Sequence, residues 1–156
     1  MPDLNRTIVA AVAGLLLALS AFAAGTTDFS GTWVLNTDKG QNLGMVKAVD
    51  ESIVVTQSAD KLVIDFTSKF MLKTTRRQVS YDLKGGPVPN EGAMGDKAQT
   101  VAKWVNGKLV VTWTSEGAVA GSTTVKTETR WLSADGNEMS VETVRANKPP
   151  MVLVYD

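Results

Sequence analysis

Asp28-Phe29-Ser30-Gly31-Thr32-Trp33-Val34-Leu35-Asn36 is the stretch whose reading decides the fold. Phe29, Gly31, Trp33 and Leu35 fall on one parity, so in a strand they share one face. A glycine at that position admits the close approach of another backbone, and the tryptophan fills a large volume beside it. A strand of this kind opening a short chain full of hairpin signals points to a small antiparallel barrel.

Outward from that stretch, period-two alternation dominates. It predicts strands at 29–36, 52–58, 61–69, 74–83, 98–105, 108–115, 123–132, 138–145 and 151–156. Asn106-Gly107 is the strongest turn signal, because both residues tolerate the positive φ of a type I′ hairpin. Ala59-Asp60 and Asp135-Gly136 read as further tight turns. Residues 37–50 form a connection with room for one turn of helix. Residues 84–97 carry Gly85, Gly86, Pro87, Pro89, Gly92 and Gly95 and are expected to be a loop. Strands without a convincing helix predict an all-β, antiparallel up-and-down meander barrel of about eight to ten strands. Alternation along such a meander places 37–50 and Asn106-Gly107 at one end. The other end is expected to gather 84–97, 116–122 and 146–150, as a candidate cavity mouth.

Upstream lies a different kind of segment. Arg6 is followed by an uncharged stretch from Thr7 to Ala24 with Leu15, Leu16, Leu17 and Leu19 at its centre. Ala21-Phe22-Ala23 supplies the small residues of a signal-peptidase site, so residues 1–23 read as a secretory signal peptide. The alternative is a retained membrane anchor, but the apolar run of about 17 residues is at the lower limit for a bilayer. Cleavage leaves a periplasmic or secreted domain, residues 24–156, without a membrane span. The chain has no cysteine, which excludes a lipid-anchored lipoprotein and any disulfide. A domain of that size buries roughly two thirds of its unfolded surface and needs no staple.

Composition removes much chemistry. With no histidine and no cysteine, serine–histidine triads, thiol nucleophiles and ordinary zinc, copper or haem sites are out. No glycine-rich phosphate loop or calcium loop is present, and no cofactor is implied. The net charge is zero, which argues against nucleic acid as partner. The carboxylates, Glu51 among them, fall in or beside predicted turns and read as solvated, so a two-carboxylate enzyme is the least favoured reading.

The candidate ligand-binding residues are aromatic and basic. Trp104, Trp113 and Trp131 could line a barrel interior and stack on a flat or apolar molecule, whereas Trp33 reads as core. Arg76 and Arg77 lie on opposite strand faces, so one of them is directed inward. Arg77 shares its face with Tyr81.

The opening Phe29-Ser30-Gly31-Thr32-Trp33-Val34-Leu35 resembles the first strand of the calycin group. It is similar to the F-x-G-T-W-x-L start of intracellular fatty-acid-binding proteins and to the G-x-W of lipocalins. The layout through the Asp135-Gly136 turn to Val154-Tyr155-Asp156 also resembles small exported bacterial proteins described as lipocalin-like. The resemblance implies a barrel with an internal cavity and no established reaction. Two departures stand out. The 37–50 connection is too short for the helical lid of fatty-acid-binding proteins. Where their last strand holds a carboxylate with R-x-Y, Tyr155 matches the tyrosine but Leu153 takes the arginine position. In lipocalins an arginine packs across the tryptophan of the first strand; Arg145 and Arg130 are the candidates for Trp33. The expectation is a non-enzymatic exported barrel binding a small apolar or amphipathic molecule. The alternative is an envelope protein-interaction or structural module with a filled barrel.

Overall fold

The computed structural model describes residues 26–156, so residues 1–23, read above as a signal peptide, lie outside the described residues. Ten strands follow one another: β1 (Gly31–Val34), β2 (Val49–Gln57), β3 (Lys61–Phe70), β4 (Lys73–Asp82), β5 (Val88–Glu91), β6 (Lys97–Val105), β7 (Lys108–Glu116), β8 (Thr123–Leu132), β9 (Met139–Arg145) and β10 (Met151–Tyr155). Among the described residues one 3-10 helix, Gly44–Ala48, sits between β1 and β2. Consecutive strands pair antiparallel in two runs, β1 to β4 and β5 to β10. The chain is thus the expected up-and-down all-β meander.

The two runs join differently on their two sides. Beyond β1 the chain continues along β10, through Leu35 opposite Tyr155 and Gln41 opposite Val152. Backbone bonds such as Asn36 N–H to the Val154 carbonyl at 2.8 Å close that side. Between β4 and β5 there is no ladder, and the wall has a seam.

β5 corrects the sequence reading, which took 84–97 as one loop. The flanking glycines and prolines hide four strand residues, and Pro89 is tolerated because β5 is an edge strand. One extra crossing reverses every later connection. The 35–48 and 92–96 connections therefore share an end with 117–122 and 146–150. The short turns at 58–60, 83–87, Asn106-Gly107 and 133–137 share the other.

That short-turn end is closed. The segment before β1 crosses beneath it, with the Thr27 hydroxyl donating to the Gly107 carbonyl at 2.8 Å. The Phe29 ring stacks on Trp104 at 6.0 Å between centroids. Above them Ile53, Leu62, Ile64, Leu109, Val79 and Met139 are buried and fill the lower barrel. Each such side chain contributes about 1.5–3 kcal/mol on burial. The Trp33 indole N–H donates to the Phe29 carbonyl at 3.0 Å, fixing the strand start to this plug. Gly31 adopts φ 146°, and a Cβ there would meet the Trp33 ring at 3.5 Å. The glycine thus serves its own backbone conformation beside the indole, not the approach of a neighbouring strand.

Candidate functional site

Strand register decides which side chains look inward. Leu109, Val111 and Trp113 of β7 stand opposite Arg130, Glu128 and Lys126 of β8, and partners across a ladder share a face. The inner face of β8 therefore carries Lys126, Glu128 and Arg130, while Val125, Thr127, Thr129 and Trp131 face out. On β2 the face that carries buried Ile53 and Val55 also carries Glu51.

These residues meet above the packed lower barrel. Arg130 is only 5% exposed, and its guanidinium donates from Nη1 to the Met139 sulfur at 3.3 Å. No carboxylate stands within ion-pair distance of it among the described residues. Trp113 is 3% exposed, and its indole N–H lies by the Tyr81 hydroxyl without forming a well-aligned bond to it. The Tyr81 ring meets Trp113 edge-on at 6.1 Å. Lys126 lies over the Trp113 ring at 4.3 Å and pairs with Glu128 at 3.1 Å. Across the barrel, the Tyr155 hydroxyl donates to Glu51 Oε1 at 2.8 Å and the Ser68 hydroxyl to Oε2 at 2.6 Å. Nearer the long-loop end Arg77 covers the Phe66 ring at 4.0 Å.

Electrostatics keep both phenols protonated. Burial raises the Tyr81 hydroxyl above its ordinary value, the Glu128 charge adds to the rise, and Arg130 and Arg77 partly offset it. Burial also raises Tyr155, reinforced by Glu51. Both tyrosines therefore remain hydrogen-bond donors throughout the neutral range. Glu51 and Glu128 each have a protein partner of their own, a pattern of structural pairing rather than of a poised acid–base couple. Among the described residues no group of acidic side chains could hold a metal ion.

Glu51, Phe66, Ser68, Arg77, Lys126 and Glu128 are half-buried, whereas Tyr81, Arg130 and Tyr155 below them are buried. The upper barrel is thus a polar, aromatic cup beneath the long-loop end. A groove of about 720 Å³ lies at the β4–β5 seam, beside the cup and lined by none of its residues. Val79, Ala98 and Ser115 belong to its inner wall, and Gln78, Gln99 and Thr114 to its outer wall.

Four of the five expected ligand residues face inward. Trp113, Tyr81 and Arg77 border the cup, and Trp104 lies deeper, against Phe29. Trp131 is corrected. It stands on the outer face of β8 beneath the Lys108 ammonium, 4.5 Å from the ring centroid, beside a surface groove with Asp135 and Thr27. Hydrophobicity favoured the wrong face, because β8 directs its charges inward. Arg130 is interior, but its bond goes to Met139, and no cation covers Trp33 among the described residues. Glu51, read as a solvated turn carboxylate, is an interior anchor. Its parity with Ile53 and Val55 was the available signal.

No family model and no curated protein matches the chain. Solved structures do. The wild-type fluorescent protein UnaG is similar with TM-score 0.65 and 18% identity, over 81% of this chain and 95% of its own. The Echinococcus granulosus fatty-acid-binding protein 1 gives TM-score 0.61 and 21% identity, over 82% and 96%. The REP1-NXSQ fatty acid transporter gives TM-score 0.62 and 16% identity, over 81% and 93%. At these identities the likeness establishes the architecture alone: the described residues fold as a ten-stranded antiparallel up-and-down barrel, as these structures do.

Proposed function

We propose that the protein is an exported, non-enzymatic barrel that binds a small amphipathic molecule in its upper half. The observation that carries this is a buried guanidinium, Arg130, without a carboxylate partner, on the same inner barrel face as the Tyr81 and Trp113 rings. A buried donor without an acceptor costs about 1–3 kcal/mol, and a ligand oxygen placed there recovers it. The ligand that fits has an apolar or aromatic body for Tyr81, Phe66 and Trp113, and one anionic or carbonyl oxygen for Arg130. Neighbours described as a fatty acid transporter and a fatty-acid-binding protein support an apolar body. Tyr155 is already engaged by Glu51, and Leu153 offers no charge, so the acceptor lies with Arg130 rather than at the last strand. Export rests on the reading of residues 1–23.

The test is a ligand panel of fatty acids, retinoids and aromatic acids added to the purified, delipidated protein. A binder is expected to shift tryptophan emission, because Trp113 borders the cup, and to raise Tm with concentration. A panel without any effect on Tm overturns the proposal. It would favour the second reading, a filled structural module, which the close-packed lower barrel supports.

A further inference from the structure

The two ends of the barrel differ in a way that ligand binding does not require. Five large apolar side chains are more than two-thirds exposed: Leu72 at 100%, Met94 at 93%, Met45 and Met71 at 78%, and Val119 at 71%. All five belong to connections at the long-loop end. The tips at the closed end are instead polar, with Asp60, Asn106-Gly107 and Asp135-Gly136.

The β3–β4 turn shows that these residues are not fillers. Phe70 pairs with Lys73, leaving Met71-Leu72 as a two-residue hairpin loop. Met71 has φ 53°, in the left-handed region that glycine enters most readily. A bulky residue there costs about 1–2 kcal/mol. The chain holds methionine in a strained conformation and exposes a leucine completely, where Gly-Ser would fold better. Local rules broken without a packing gain mark function.

Charge selects the partner. Around these tips stand six bases, Lys47, Lys69, Lys73, Lys97, Arg145 and Lys148, against four acids, Asp50, Glu91, Asp96 and Glu116. None of the six bases is ion-paired among the described residues. Apolar tips set among free cations match the interface of an anionic bilayer, where the tips enter the acyl boundary and the ammonium groups stay at the headgroups. We infer that the long-loop end of the barrel docks on an anionic lipid surface, with the Met71-Leu72 turn as its principal insertion point. This orientation turns the mouth of the cup toward the lipid, but docking does not depend on what the cup holds.

The test uses the purified protein and sedimentation with vesicles of phosphatidylcholine and phosphatidylglycerol in equal parts, against pure phosphatidylcholine. Binding is expected to the anionic vesicles, to fall with added salt, and to drop about tenfold or more in the M71G/L72S double variant. That variant is designed to suit the turn, so its Tm is expected to match or exceed the native value, which separates lost docking from lost fold. Equal binding by the variant, or none by the native protein, overturns the inference. So does concentration-dependent self-association that the variant abolishes, which would assign the tips to a second copy of the chain. Ligand binding read by tryptophan emission is scored separately and is expected to survive in the variant.

Discussion

The side-chain amide of Asn90 pairs with the main chain of Ser80 as a strand neighbour would. Its Oδ1 accepts from the Ser80 amide at 2.9 Å, and its Nδ2 donates to the Ser80 carbonyl at 2.8 Å. The same Nδ2 reaches the Thr100 hydroxyl at 2.7 Å, and that hydroxyl donates to the Val88 carbonyl at 2.8 Å. With the Arg77 guanidinium, which donates to the Glu91 carbonyl at 3.3 Å, this side chain bridges the seam that no backbone ladder closes. Asn90→Ala is expected to cost about 2 kcal/mol, because it orphans both backbone groups of Ser80. Hydrogen exchange at the Ser80 amide should accelerate beyond that of Val79. Unchanged exchange would show that the seam is held elsewhere.

Arg130 is predicted to separate stability from binding. Replacing it with methionine removes a buried charge that lacks a carboxylate partner, so Tm is expected to hold or rise. Affinity for any ligand found in the panel should fall at least about tenfold, the loss of one charge-assisted hydrogen bond. A large fall in Tm would instead make Arg130 a structural residue, and calorimetry decides.

Asp135 gives the chain a defined acid response. Its carboxylate accepts from the Ser133 hydroxyl and from the backbone and side-chain amides of Asn137, and these bonds lower its pKa to about 2. A lowered carboxylate stabilises the fold fully above its ordinary value and loses that contribution as pH falls through the folded one. The Tm difference between the native protein and Asp135→Ala should therefore be present near pH 5 and shrink toward about pH 2. A difference independent of pH would count against the carboxylate as its source.

Trp33→Phe keeps most of the ring volume but deletes the bond to the Phe29 carbonyl, which is buried. Thermal unfolding is expected to report a loss of about 1–2 kcal/mol. Stacking of Phe29 on Trp104 should loosen with it, visible as a red shift of the remaining emission.

The fold was legible in the sequence because its signals are local. Alternation, the Asn106-Gly107 turn and the Phe29-to-Leu35 opening each act within a few residues, and the strands they predicted lie where expected within a residue or two, β2 apart. β5 escaped because its register comes from Lys97–Thr100 on one side and its seam from Ser80 on the other, both outside the segment itself. The cup was only half legible. Arg77, Tyr81 and Trp113 were found from their strand faces. Trp131 and Arg130 alternate on one strand, and either could have been the inner set.

By itself, then, the sequence determined the strand pattern, the tight turns and the absence of histidine and cysteine chemistry. These follow from φ/ψ preference, side-chain parity and composition, which need no distant partner. Only the tertiary structure decided that Lys126, Glu128 and Arg130 look inward, that Glu51 joins Tyr155, and that the apolar tips gather at one end. Those outcomes depend on cross-strand register and on an odd or even count of crossings, quantities that exist only once the barrel has closed.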